Sequence, residues 1–178
     1  DSHSSISQEE AKKLGIFVLP MPFYIDGECY YESVTLSREL FFEKLTSGAD
    51  ISTSQPSPTA VMEIWDKALE EYEKILYMPI SSGLSSSYNT AMMLAQEEKY
   101  EGRVLVVDDG QVAAPLHQMI LDTLDMIEKG YEAEHIRELL EKAGDRMMIY
   151  IALQTLEFLK KGGRVTPAAA ALGSVFNI

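Results

Sequence analysis

The chain has 178 residues, 46% of them hydrophobic, enough to bury a core and too many for a disordered tail. Its 28 acidic residues outweigh 15 basic ones for a formal net charge of −13, which excludes a duplex-binding surface built on clustered Lys and Arg, so no nucleic acid partner is expected. Cys29 is the only cysteine. It allows neither an intrachain disulfide framework nor a thiolate zinc site, and a reduced, cytoplasmic setting is the natural expectation.

No apolar run approaches the roughly 20 residues that span a bilayer, and no signal-peptide pattern opens the chain. A first helix is predicted over Gln8 to Leu14, stopped at Gly15. Ile16 to Leu19 is a short apolar strand candidate closed by Pro20. Met21 to Tyr31 reads as a hairpin turning at Asp26-Gly27, a strong hairpin signal between apolar runs. Ser37 is placed to cap a helix from Glu39 to Leu45, with Gly48 after its end. Ser57-Pro58 starts another helix, with Val61, Ile64, Trp65, Ala68, Leu69 and Tyr72 at helical spacing.

Ile75 to Ile80 is a buried strand candidate, followed by a helix from about Ser85 to Glu98. Arg103 to Val107 is an apolar β run ending at Asp108-Asp109-Gly110. Helices are predicted over Val112 to Lys129 and Ala133 to Lys142. Pro115 is tolerable because it falls in a first turn. Met147 to Leu153 reads as a strand, and Thr155 as the cap of Leu156 to Lys161 before Gly162-Gly163. The tail from Pro167 is Ala-rich and helical in pattern. Strands alternating with helices define an α/β fold with a largely parallel sheet, whose ligands sit beyond the carboxyl ends of strands.

Two hydroxyl-rich stretches stand before predicted helices: Thr53-Ser54-Gln55-Pro56-Ser57 and Ser81-Ser82-Gly83-Leu84-Ser85-Ser86-Ser87. Helix N-termini carry unpaired N–H groups and partial positive charge, so hydroxyls beside two of them suit an anionic head group. Plain capping explains one serine per helix start. Thr53 and Ser54 are surplus to the cap at Ser57, and of the five serines after Ile80 one cap needs only one.

The order of elements resembles the DegV family of bacterial lipid-binding proteins. The resemblance rests on Asp1-Ser2, Ile16 to Pro20, Thr53-Ser54-Gln55-Pro56-Ser57, Ile80 to Ser85 with Tyr88 and Ala91, Val107-Asp108, and Leu156 and Leu159 with Lys161-Gly162-Gly163-Arg164. It covers essentially the whole chain. It implies a DegV-type α/β domain over residues 1–146, with helices on both faces of its sheet and a hairpin insertion at about 21–34. It implies that residues 147–178 begin a second, lipid-covering α/β domain that is truncated here.

The function so implied is a long-chain fatty acid carrier, not an enzyme, with no cofactor and no metal. Thr53 and Ser85 would hold the carboxylate, with Ser54 and the Ser86 N–H beside them and Gly163 and Arg164 near the head group. The acyl tail would lie in an apolar tunnel. In Gram-positive bacteria such carriers present the fatty acid to a separate fatty acid kinase that makes acyl phosphate, and lipid exchange implies transient membrane contact. The chain departs from the family at Ser86-Ser87, where Gly-Thr is usual, at Asp109, where serine is frequent, and at His3, where threonine is frequent.

Two other functions fit parts of the pattern. Anion capture at helix ends also suits a phosphate or sugar-phosphate module. Gly83-Leu84-Ser85 begins like the nucleophile elbow of a serine hydrolase, but Ser87 replaces the second glycine, and no motif positions His3, His117 or His135 as a base. Asp1, Asp108 and Asp109 have unspecific spacing for a cation, and aspartate after a strand is ordinarily turn chemistry.

Overall fold

A computed structural model describes residues 1–31, 34–152 and 155–165. The chain divides into two units, Asp1–Met148 and Ile149–Ile178. In the first unit a short 3₁₀ turn, Ser2–Ser4, leads to α1, Gln8–Leu14. Ser7 caps α1 by accepting from the Glu10 N–H, and acidic residues in the first turn face Lys12 and Lys13 in the last, the sense the helix dipole favours.

The predicted hairpin forms as β1, Pro22–Ile25, and β2, Glu28–Tyr31, with Ile25 opposite Glu28. Asp26 and Gly27 both have positive φ, 51° and 86°, as a two-residue turn of this hand requires. Ser37 caps α2, Arg38–Thr46. A strand that hydrophobic patterning alone did not reveal follows: β3, Ile51–Thr53, antiparallel to β1 with Phe23 opposite Thr53. The sheet order is β2-β1-β3. Phe23, Ile25 and Leu36 form its buried cluster, with Phe41 of α2 edge-on to Phe23 at 5.5 Å.

Ser57 caps α3, Pro58–Leu69, with Pro58 in the first turn. The parallel pair comprises β4, Ile75–Tyr77, and β5, Val104–Val106. Between them runs α4, Ser87–Leu94; α5, Ala113–Glu128, and α6, Ala133–Gly144, follow. Alternate strand residues face opposite ways. Tyr77, Val104 and Val106 pack with Val61 and Trp65 of α3 and Ala91 and Leu94 of α4. Val107 and Leu76 pack with Leu116 and Met119 of α5 and Ile136 and Leu140 of α6. Helices therefore cover both faces, and the fold is mixed α/β as the sequence indicates, with a smaller parallel sheet than the pattern implies.

Three expectations need correction. Ile16 to Leu19 is not a strand. The Ser2 N–H and the Gln8 side chain donate to the Leu19 and Val18 carbonyls, so the 3₁₀ turn and α1 satisfy this segment in place of a ladder. Residues 147–152 make no strand among the described residues, and Leu153 lies outside them. Tyr72 falls beyond α3 and is exposed.

In the second unit, α7 spans Glu157–Lys161. Thr155 Oγ1 accepts from the Glu157 N–H at 3.1 Å, and Gly163 follows the helix with φ of 74°. The predicted helical tail from Pro167 lies outside the described residues.

Candidate functional site

Thr53 ends β3, and the backbone alternation of β3 divides the first hydroxyl motif. Thr53, opposite Phe23, shares the face of Ile25 and Ile51. Ser54 follows on the other side, where Pro22, Tyr24, Cys29, Tyr31, Ser54 and Gln55, with Pro56 to Pro58, line an open hollow of about 280 Å³. The Ser54 N–H donates to the Pro22 carbonyl at 3.3 Å, continuing the strand pairing by one bond. Thr53 and Ser54 are both exposed.

The second motif leaves β4 at its carboxyl end, where ligands of parallel sheets bind. Ser81 is buried, and its carbonyl accepts from the N–H groups of Leu84 and Ser85 at 2.9 and 3.2 Å. Ser81 Oγ accepts from the Gly83 N–H at 3.2 Å. Two aspartates pin the loop from outside: Asp1 Oδ2 takes the Ile80 N–H at 2.8 Å, and Asp108 Oδ1 takes the Ser82 N–H at 3.3 Å. Ser85 Oγ accepts from the Ser87 N–H at 3.2 Å and lies 2.8 Å from Ser87 Oγ. Ser86 is the residue in the N-cap position of α4, yet its side chain makes no capping bond. Its N–H has no acceptor among the described residues.

The first motif is joined to the helix that follows the second by a contact that neither motif announced. Thr90 Oγ1, one turn into α4, donates to Gln55 Oε1 at 3.1 Å. Gln55 lay inside a quoted motif, but its side chain carried no separate signal; Thr90 carried none. Tyr88 is half-buried, and its hydroxyl proton is held more tightly than usual, first by burial, then by Asp108 and Glu141, against the opposing charge of Arg137.

Gly163 and Arg164 belong to the second unit. There Arg164 Nη1 donates to the Gly162 carbonyl at 2.7 Å, and the Arg164 N–H to the Leu159 carbonyl at 2.8 Å.

The other titratable groups are occupied elsewhere. His3 Nδ1 lies 3.3 Å from Asp1 Oδ1, His117 Nε2 lies 3.5 Å from Glu10, and His135 stacks on Tyr131. The nearest hydroxyl partner of Ser85 is Ser87, not an imidazole, so the hydroxyl lacks the arrangement of an activated nucleophile. Among the described residues no cluster of three or more His, Cys, Asp or Glu is arranged for a metal. Among them, too, no helix is long and apolar enough to cross a membrane.

A parallel β pair sheathed by helices, with a serine-rich turn at its carboxyl end and an antiparallel three-stranded layer in the same unit, defines the class: a mixed α/β protein. The chain belongs to the DegV family, whose model, described as an uncharacterised protein family, matches residues 1–178. A DegV domain-containing protein of Deinococcus radiodurans is 33% identical over 179 residues, across all of this chain and 63% of its own length. A DegV family protein of Thermus thermophilus, described for its fatty acid binding, is 33% identical with a TM-score of 0.87, over 99% of this chain and 63% of that one. A Thermotoga maritima protein, described as revealing a fatty acid binding function, is 25% identical with a TM-score of 0.69, over 80% of this chain and 52% of its own. The chain thus spans less than two thirds of the relatives it matches.

Proposed function

We propose that the whole protein is a non-catalytic carrier that binds a long-chain fatty acid. The observation that carries this reading is the likeness, at 33% identity and a TM-score of 0.87, to the Thermus thermophilus protein described for its fatty acid binding. The local geometry supports it. The Gln55–Thr90 hydrogen bond ties the first hydroxyl motif to α4, the helix that follows the second, and an acceptor-free Ser86 N–H stands at the start of α4.

In this reading Thr53 and Ser85 hold the carboxylate, with Ser54 and the Ser86 N–H as further donors. This reading also gives Gly163 and Arg164 to the head group, for which a guanidinium offers charge-assisted hydrogen bonds. Residues 1–146 act as the DegV-type domain, and 147–178 begin the domain that covers the lipid. The acyl tail lies in an apolar tunnel, where each buried methylene contributes about 0.8 kcal/mol, so the tail sets affinity and the hydroxyls set orientation. A carboxylate held by hydroxyls and amides stays accessible, which suits presentation to a separate cytoplasmic fatty acid kinase for acyl phosphate formation. Loading takes place by transient membrane contact.

The test is organic extraction of the purified full-length protein followed by mass spectrometry, then oleate titration of the delipidated protein and its Thr53→Ala and Ser85→Ala variants. A stoichiometric fatty acid, with affinity reduced about tenfold in each variant, is the expected result; about 1.4 kcal/mol fits one lost charged hydrogen bond. Unchanged oleate affinity in both variants removes the site assignment. No bound lipid and no oleate binding, with saturable binding of inorganic phosphate, replaces the carrier reading with a phosphate module.

A further inference from the structure

Beneath the serine-rich loop lies a polar cluster that the head-group contacts do not use. Asp109 and Gln111 are 1% and 3% exposed. Asp109 Oδ1 accepts from the Gln111 N–H at 2.9 Å. Gln111 Nε2 donates to the carbonyls of Asp109 and Gly144 at 3.2 and 3.4 Å. Two buried acceptors remain without a donor, Asp109 Oδ2 and Gln111 Oε1. The cluster has little room to relax: a β-carbon at position 144 would collide with the Asp109 carbonyl, so the end of α6 is pressed against this backbone.

A buried carboxylate with one hydrogen bond is an expensive group. One proton changes the inventory, because a neutral carboxyl loses its charge and gains a donor. The cluster is wired to the loop above it. The Gln111 carbonyl accepts from the Ser81 N–H at 3.0 Å, and the Ser81 carbonyl accepts from the Ser85 N–H. Asp109, Gln111, Ser81 and Ser85 thus form one hydrogen-bonded series ending at the backbone N–H of Ser85, the residue whose hydroxyl is assigned to the head group.

We propose that Asp109 is a positioning residue of this loop that works in its protonated form, so that fatty acid binding is linked to a proton. The proposal rests on the carrier reading above. The groups around Asp109 agree with it. Burial, reinforced by neighbouring Asp108, pushes the carboxyl up to about 6 against the opposing Gln111 N–H. From α6, Gly144 offers only backbone, while Arg137 and Glu141 bear on Tyr88. The Asp1 carboxylate is engaged by the Ile80 N–H and His3. A fatty acid carboxylate at Ser85 adds a further negative charge to this end of the sheet. It favours the neutral form of Asp109, and by reciprocity the proton favours the ligand. When Asp109 ionises, water must reach it, which loosens the Gln111–Ser81 bond.

The experiment uses the full-length protein and its Asp109→Asn and Asp109→Ser variants, both uncharged donors. Oleate affinity is measured at pH 5.5 and 7.5, proton uptake by calorimetry in buffers of different ionisation enthalpy, and the wild-type Asp109 carboxyl by carbon-13 NMR. The expected result is a fall in wild-type affinity with rising pH about tenfold larger than in the variants, with proton uptake on binding in the wild type alone. Because oleate's own titration is common to all three proteins, identical pH profiles overturn the proposal. So does an NMR titration that finds Asp109 ionised at pH 5, a result that needs neither ligand nor folded variant. No oleate binding by any of the three at either pH overturns the carrier reading and the linkage together. Wild-type binding without a pH difference overturns the linkage alone.

Discussion

The two β layers of the first unit solve the same burial problem differently. The parallel pair β4–β5 is covered by α3 and α4 on one side and α5 and α6 on the other, and Val104, Leu105 and Val106 are all buried. The antiparallel layer β2-β1-β3 buries Phe23 and Ile25 under α2 but leaves Tyr24, Cys29 and Tyr31 lining an open hollow. A sheet covered twice can fix a backbone turn at its carboxyl end. A sheet covered once offers a side chain on a more yielding edge. Ser85 hangs from the first kind of support and Thr53 from the second, so the two proposed head-group contacts differ in how firmly they are held.

The largest expected effect tests the doubly covered layer. Trp65 is 1% exposed and meets Tyr77 and Tyr100 edge-on, with ring centroids 5.3 and 5.2 Å away. Trp65→Ala is expected to lower stability by about 3–5 kcal/mol in urea unfolding. A loss below 1 kcal/mol would mean that this cluster does not carry the fold. Next is the pH dependence of stability. The Asp109 carboxyl has a higher affinity for its proton in the folded state than in the unfolded chain, about 6 against 3.8. The native state therefore binds more protons between those values, and stability falls as pH rises through that window, then levels off. Two pKa units correspond to about 3 kcal/mol. Asp109→Asn should remove that slope and be the more stable protein at pH 7.5; an unchanged pH–stability curve would show that Asp109 does not carry it.

Legibility in the sequence follows the same contrast. Helix starts at Ser37 and Ser57 were readable because a cap is a bond within four residues. The Asp26-Gly27 turn was readable for the same reason. Strands need a partner, and the partner is not local. Ile16 to Leu19 looks like a strand yet is satisfied by α1 and the 3₁₀ turn, whereas Ile51–Thr53 gives no strand signal yet pairs with β1. At the site, the two hydroxyl motifs were visible as surplus serines and threonines. The Gln55–Thr90 bridge and the Asp109–Gln111–Ser81 series were not, since each joins residues whose types are common and whose meeting depends on how the helices pack.

The singly covered layer is tested by Gly27→Ala. At φ of 86° a β-carbon is strained, at a cost of about 1–2 kcal/mol. Hydrogen exchange should speed up at β1–β2 amides while β4–β5 amides keep their protection, because the two layers have separate buried clusters. Equal acceleration in both layers would show that they open as one unit and would erase the contrast.

The smallest effect on stability tests the bridge between the layers. Thr90→Val keeps the shape of the side chain and deletes the donor to Gln55 Oε1. One net hydrogen bond contributes about 1 kcal/mol, and half-buried Gln55 can turn to water, so the stability loss should be at or below that value. Under the carrier reading the bridge sets where Thr53 stands relative to Ser85, so oleate affinity should fall further than stability does. A cycle with Gln55→Ala separates the possibilities. If the double variant binds oleate as poorly as either single one, the two side chains act as a unit and the bridge couples the yielding edge to the rigid turn. If the losses add, Thr53 is held by β3 alone, and the two supports work independently.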